Sequence, residues 1–244
     1  MCRPYMGRSQ RIILAVVLWL AAIAVAMAFD RAAATWARDL GAPAFLDSHA
    51  AIKAILKTPG EYWFVLVVAA VVMVVHPLRW QAGAFVLLAT LLSGANGLIK
   101  WIAGRTRPFK LPMYDAATGA PLAKPFVLSP FRGGLHGLFV GKDLSFPSGH
   151  AALAFATAAA VAMLWPTARW RWGGYALAAI VAAERVAENA HWLSDTVAAA
   201  ALGVGGVYLI RCVIDSVREG REDSRSSGPP LTIEESAPAA AAHD

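Results

Sequence analysis

Charge is scarce in this chain of 244 residues. Asp, Glu, Lys and Arg together make up 16% of it, against about 25% in ordinary soluble domains. Acids are the scarcer sign, 16 against 22 basic residues, which leaves a formal net charge of +6. Cysteine is almost missing as well. Cys2 and Cys212 stand near opposite ends of the chain, so they form no metal-ligand spacing and offer no disulfide framework. No internal repeat is visible. What the chain has in quantity is apolar side chains, 58% of all residues, too many for a soluble domain of this size. The basic excess does not form one soluble nucleic-acid-binding face, because the cations lie between apolar runs. Membrane orientation and an anionic substrate account for it better.

Six runs are apolar and long enough, or nearly so, to cross a bilayer: residues 12–29, 62–75, 82–103, 148–165, 174–190 and 193–214. The first is preceded by Arg3, Arg8 and Arg11, and Ala26-Met27-Ala28 has the form of a signal-peptidase site. The run exceeds the usual signal-peptide core of about 7–15 residues, so it is read as a retained transmembrane helix. Residues 30–61 are mixed in charge. There Phe45, His49, Ile52 and Leu56 share one helical face, either on the membrane surface or packed against the protein. Residues 104–147 form a polar loop punctuated by Pro108, Pro112, Pro121, Pro125 and Pro130, and loops of that length are usually functional or disordered. Residues 218–244 read as a disordered tail. The expected fold is an all-α polytopic membrane protein, a six-transmembrane helix bundle with residues 1–217 as its membrane domain. Arg79, Arg169, Arg171, Arg211 and Arg218 fall on the side of both termini, which the positive-inside rule makes cytoplasmic. The loop after Lys100 is basic yet falls outside, a conflict that a substrate-binding role for its cations resolves.

In this topology three polar sets meet on the outer face. The first is Lys100-Trp101-Ile102-Ala103-Gly104-Arg105-Thr106-Arg107-Pro108. A lysine within an apolar helix is costly and marks function unless it snorkels to the interface. Gly104 and Pro108 end that helix, and Arg107 can grip phosphate oxygens in bidentate fashion. The second is Pro147-Ser148-Gly149-His150 before an apolar helix. Ser148 suits the N-cap, the free N–H groups beyond it suit an anion, and His150 can protonate a leaving oxygen. A capped helix with an interfacial histidine is the plainer alternative. The third is Arg185 with His191 and Asp195. If helical, His191 and Asp195 share a face, and the carboxylate can hold one ring nitrogen so that the other keeps its lone pair. A solvated His-Asp pair at a helix end is the bland counterpart. Zinc at His150, His191 and Asp195 is the competing chemistry; Lys100, Arg107 and Arg185 around it disfavour a metal and suit a phosphoryl group in transfer.

With these residues the chain resembles the type 2 phosphatidic acid phosphatase superfamily, which also contains the vanadium haloperoxidases. The pattern Lys-x6-Arg-Pro is matched by Lys100, Arg107 and Pro108; Pro-Ser-Gly-His by residues 147–150; and Ser-Arg-x5-His-x3-Asp by Arg185, His191 and Asp195, with Glu184 in place of the usual Ser. The resemblance implies a metal-independent membrane phosphatase with no cofactor. His191 is then the nucleophile that forms a phosphohistidine, Asp195 its orienting partner and His150 the acid and later the base. Lys100, Arg107, Ser148, Gly149 and Arg185 hold the phosphoryl oxygens. Arg105, Arg132 and Lys142 are possible substrate-loop contacts, or solvated charges. The implied substrate is a lipid phosphate reached from the membrane lipids. Undecaprenyl diphosphate or lipid A phosphate is favoured over phosphatidylglycerol phosphate or phosphatidic acid. The implied location is the bacterial inner membrane with the site facing the periplasm. A non-enzymatic lipid-phosphate binder or transporter is the other class; transporters usually place polar residues near the bilayer midplane on inverted repeats, whereas here they gather at one face.

Overall fold

A computed structural model describes residues 7–91, 96–112, 129–131 and 144–226. All regular structure among them is helical, apart from one isolated antiparallel bridge between Thr106 and Leu144. The helices are α1 (Arg8–Asp39), α2 (Ala42–Ser48), α3 (Ala50–Lys57), α4 (Tyr62–Val75), α5 (Arg79–Leu91), α6 (Asn96–Ala103), α7 (Gly149–Leu164), α8 (Ala168–Ala187) and α9 (Leu193–Ser226). Short 3-10 turns occupy Thr58–Gly60 and Pro108–Lys110.

Three stretches are long and apolar enough to cross a membrane: Ser9–Asp39, Arg79–Ala103, which holds α5 and α6, and Leu193–Arg221. A fourth candidate is the pair Ala50–Gly60 and Tyr62–Val75, bent by 55°. The other two expected spans are helices as well, but α7 has only 16 residues, and α8 carries Arg169, Arg171, Glu184 and Arg185. In lipid a helix satisfies its own backbone, which is why the valine-rich stretch of α4 is helical despite the usual strand preference of valine.

Helix boundaries depart from the hydropathy pattern in three places. The first helix does not stop at Phe29 but runs on to Asp39, so Asp30 lies inside it. The single amphipathic face expected over residues 45–56 is two helices broken at His49. The last helix continues through Arg218 to Ser226, into residues expected in the tail.

The chain divides into two compact units, Met1–Ile210 and Arg211–Asp244. In the second, Arg211 and Asp215 pair at 2.9 Å, one helical turn apart. The first has an alanine-rich centre: Ala151, Ala152, Ala154, Ala156 and Ala158–Ala160 of α7 are buried, several against Ala178, Val181 and Ala199. Small side chains let helices approach closely without a water-driven hydrophobic effect between them. Gly203 shows how close: a β-carbon there would lie 2.5 Å from the Ala152 carbonyl oxygen.

Candidate active site

The three polar sets do come together, and main-chain hydrogen bonds join them. The Ser148 N–H donates to the Asp195 carbonyl at 3.1 Å, the Ser145 N–H to the Arg105 carbonyl at 2.8 Å, and the Phe109 N–H to the Asn189 carbonyl at 3.1 Å. The Trp192 indole N–H donates to the Thr106 carbonyl at 2.9 Å. Arg38 of α1 reaches the Pro108 carbonyl at 2.6 Å. Gly104 makes the sharp exit from α6 possible. It has φ +59°, and a β-carbon there would collide with Ser129.

His191 is not helical, contrary to the condition set on its spacing with Asp195. It sits in the turn between α8 and α9, after Asn189 at φ +56°. The two side chains still face each other, with His191 Nδ1 3.5 Å from Asp195 Oδ2. That is an ion-pair approach and too long for a settled hydrogen bond. Asp195 is held mainly by others. It accepts from Arg105 Nη1 at 2.5 Å, from the Trp192 N–H at 2.9 Å and from the Ser145 hydroxyl. Burial drives the His191 pKa from the ordinary 6.5 to about 3, assisted by the charges of Lys100 and Arg107 and opposed by Asp195. The ring is therefore neutral at physiological pH. Nδ1 is the ring nitrogen turned to Asp195, and Nε2 points away from it.

Ser148 is the N-cap of α7, but its hydroxyl makes no capping bond. Buried and without a hydrogen-bond partner, it is an atom in want of one. The Asn96 amide is also buried without a partner, close enough to Gly149 that a β-carbon there would touch it at 3.4 Å. His150 is half-buried, with Nε2 3.3 Å from Glu61 Oε1, and Glu61 also pairs with Lys57 at 3.1 Å.

Arg185 is buried and engaged. It donates to Glu184 through Nε and Nη2, each at 2.5 Å, and Nη2 also pairs with Glu188 at 2.6 Å. Glu188 in turn pairs with Lys53 at 2.6 Å. Lys100 and Arg107 are both half-buried, and Arg107 Nε donates to the Leu144 carbonyl at 3.3 Å.

These three segments fall within residues 78–218, where the chain matches the model of the PAP2 superfamily. The matched stretch is more than half of the chain. The protein belongs to the PAP2 superfamily.

No curated protein matches the sequence significantly. Among solved structures, the fold is similar to the first transmembrane PAP2-type phosphatidylglycerolphosphate phosphatase from Bacillus subtilis. The TM-score is 0.54 at 17% identity, over 84% of this chain and 96% of that one. Membership, together with the apolar helices, makes this a transmembrane protein of a lipid phosphatase superfamily, an enzyme that hydrolyses phosphate esters.

Arg105 corrects one expectation for this PAP2 protein. Instead of lining a substrate loop, its side chain is 0% exposed and pairs with Asp195 and, at 2.6 Å, with Asp30. Arg132 and Lys142 lie outside the described residues. Among those described, no three His, Cys, Asp or Glu side chains are grouped to hold one metal ion. Asp30, Glu61, Ser145 and Ser194 were missed from the sequence. Asp30 carried a usable signal, since a carboxylate at the end of an apolar span needs a partner. The other three have no such mark in one sequence.

Proposed function

We propose that this PAP2 protein hydrolyses a lipid phosphate or diphosphate through a phosphohistidine on His191, without a metal. The observation that carries this reading is the buried, neutral His191, whose Nδ1 faces Asp195 at 3.5 Å beside the unpartnered Ser148 hydroxyl. His191 Nε2 attacks phosphorus and the bond to the leaving oxygen breaks. His150 gives that oxygen its proton. Water then attacks the phosphoenzyme, His150 takes the water's proton, and the P–N electron pair returns to Nε2 as inorganic phosphate leaves. Lys100, Arg107, Arg185, Ser148 and the Gly149 N–H hold the phosphoryl oxygens, where charge stabilisation carries most of the catalysis.

The favoured substrate is a cell-envelope lipid, undecaprenyl diphosphate or lipid A phosphate. Six spans with cytoplasmic termini would set the site at the periplasmic face of the inner membrane, open to the outer leaflet. Phosphatidylglycerol phosphate is the alternative, since the similar solved structure is named for that activity; phosphatidic acid remains a further candidate. Purified protein in EDTA, given each of these lipids, tests the proposal. Phosphate release from one lipid that disappears with His191→Ala supports it. Release abolished by EDTA would overturn the metal-free mechanism, and no release from any lipid would favour a lipid-phosphate binder.

A further inference from the structure

The matched family segment begins at residue 78, yet the buried surroundings of Asp195 include a residue from far outside it. Asp30 of α1 is 1% exposed. Its Oδ2 accepts from Arg105 Nη2 at 2.6 Å and from the Ser194 hydroxyl at 2.7 Å, while Oδ1 accepts from the Ser194 N–H at 2.8 Å. Arg105 spans the gap: Nη1 donates to Asp195 Oδ1 at 2.5 Å and to the Ser194 hydroxyl at 2.8 Å. The Trp192 ring lies 5.1 Å from the same guanidinium. One buried cation is thus shared between two buried carboxylates.

The sharing has an electrostatic consequence. Arg105 alone would cancel the charge of Asp195. With Asp30 on its other side the Arg105 cation is divided between two carboxylates instead of being spent on Asp195 alone, and Asp195 faces His191 Nδ1. Because all three side chains are 0% exposed, water does not screen the charge of Asp195. When His191 Nε2 bonds to phosphorus, the imidazole ring becomes cationic. A negative charge retained at Asp195 then favours the transition state more than the ground state, the condition for a gain in kcat.

Resting on the reading of His191 as nucleophile, we infer that Asp30 is a positioning residue of the phosphoryl-transfer site. It draws on the Arg105 charge so that Asp195 keeps its own for the His191 cation. The first helix, outside the matched segment, is then part of the catalytic apparatus.

The test uses the full-length protein in detergent with radiolabelled dioctanoyl phosphatidic acid as probe. Wild type, His191→Ala, Asp30→Asn, Asp195→Asn and the Asp30→Asn/Asp195→Asn double variant are compared. Asp30→Asn is expected to lower kcat by about 10- to 100-fold, as losses of orienting partners do, with KM within about threefold of wild type. On the Asp195→Asn background it is expected to cost nothing further, because its effect passes through Asp195. A merely structural residue would reduce rate by the same factor on both backgrounds. That result, an unchanged kcat or a change in KM alone would overturn the inference. If Asp30→Asn does not fold, Ser194→Ala trims the same contacts without removing a charge. A smaller fall in kcat, again absent in Asp195→Asn, is then expected, and equal losses on both backgrounds would be decisive against it. Wild type inactive on the probe and on every lipid phosphate would sink the phosphatase reading and this inference together. Activity that His191→Ala abolishes and Asp30→Asn leaves intact would sink the inference alone.

Discussion

Two arginines in this site each stand between carboxylates, and their surroundings differ. Arg105 and both its partners, Asp30 and Asp195, are fully buried. Arg185 is also buried, but its outer partner Glu188 is 20% exposed and passes the contact on to Lys53 at 25% exposure. Both clusters are networks of ion pairs, but only the second reaches water. Opening a fully buried cluster leaves a bare charge in a medium that cannot solvate it, so the Arg105 cluster is a permanent brace. Around Arg185 only Glu188, 20% exposed, has water within reach, whereas Glu184 is as buried as the partners of Arg105. On the proposed phosphatase reading, Glu188 competes with phosphate for Arg185. Glu184 holds Arg185 through Nε and Nη2.

The largest expected effect comes from the residue between the two clusters. His191→Ala should reduce phosphate release by at least about a thousandfold and abolish trapping of a radiolabelled phosphoenzyme in acid-quenched reactions. Unchanged turnover would remove the reason for comparing the clusters as parts of one catalytic site. Next, Arg105→Ala and Arg185→Ala should separate cleanly. The first leaves two buried carboxylates unpaired and is expected to cost about 3–5 kcal/mol of stability, seen as a lower thermal midpoint in detergent. The second should act mainly on KM, raising it by about 10- to 100-fold with a much smaller shift in midpoint. Equal destabilisation by both would erase the distinction between brace and phosphate grip.

A smaller and opposite effect is expected from Glu188→Gln. Freed of one competitor, Arg185 should bind phosphoryl oxygens better, lowering the inhibition constant of inorganic phosphate by about threefold. A weaker inhibition would show that Glu188 orients Arg185 instead of occupying it. A separate test, on stability and not on turnover, is pH. His191 has its pKa lowered from 6.5 to about 3 by burial, so between these values the unfolded chain binds a proton that the folded one does not. Stability should therefore fall as pH drops from about 6.5 toward 3, by up to about 1.4 kcal/mol per unit from this group. His191→Gln should flatten that part of the thermal-midpoint profile; an identical slope would mean that other groups produce it.

The candidate site was legible in the chain because it depends on residue types at short spacings. Lys100 with Arg107, Ser148 with His150, and His191 with Asp195 are each local patterns. They lie at the ends of apolar runs whose helical form the bilayer requires. What misled the reading was equally local. Arg105 lies two residues from Arg107 and looked like another substrate contact, since nothing in one sequence says which of two neighbouring arginines turns inward. His191 was tied to Asp195 by an assumed helix, whereas a turn through Asn189 brings them together.

The sequence by itself determined an all-helical membrane protein of this superfamily and marked the side chains proposed to handle a phosphoryl group. Hydropathy is a property of each segment alone, and charged side chains announce themselves by their cost in an apolar setting. The tertiary structure decided which charges are spent on one another. It gave Arg105 to Asp30 and Asp195, engaged Arg185 with Glu184 and Glu188, and left the Ser148 hydroxyl without a partner. Pairing over 75 residues, as between Asp30 and Arg105, follows from how helices pack, and buried charges must find their partners wherever that packing brings them.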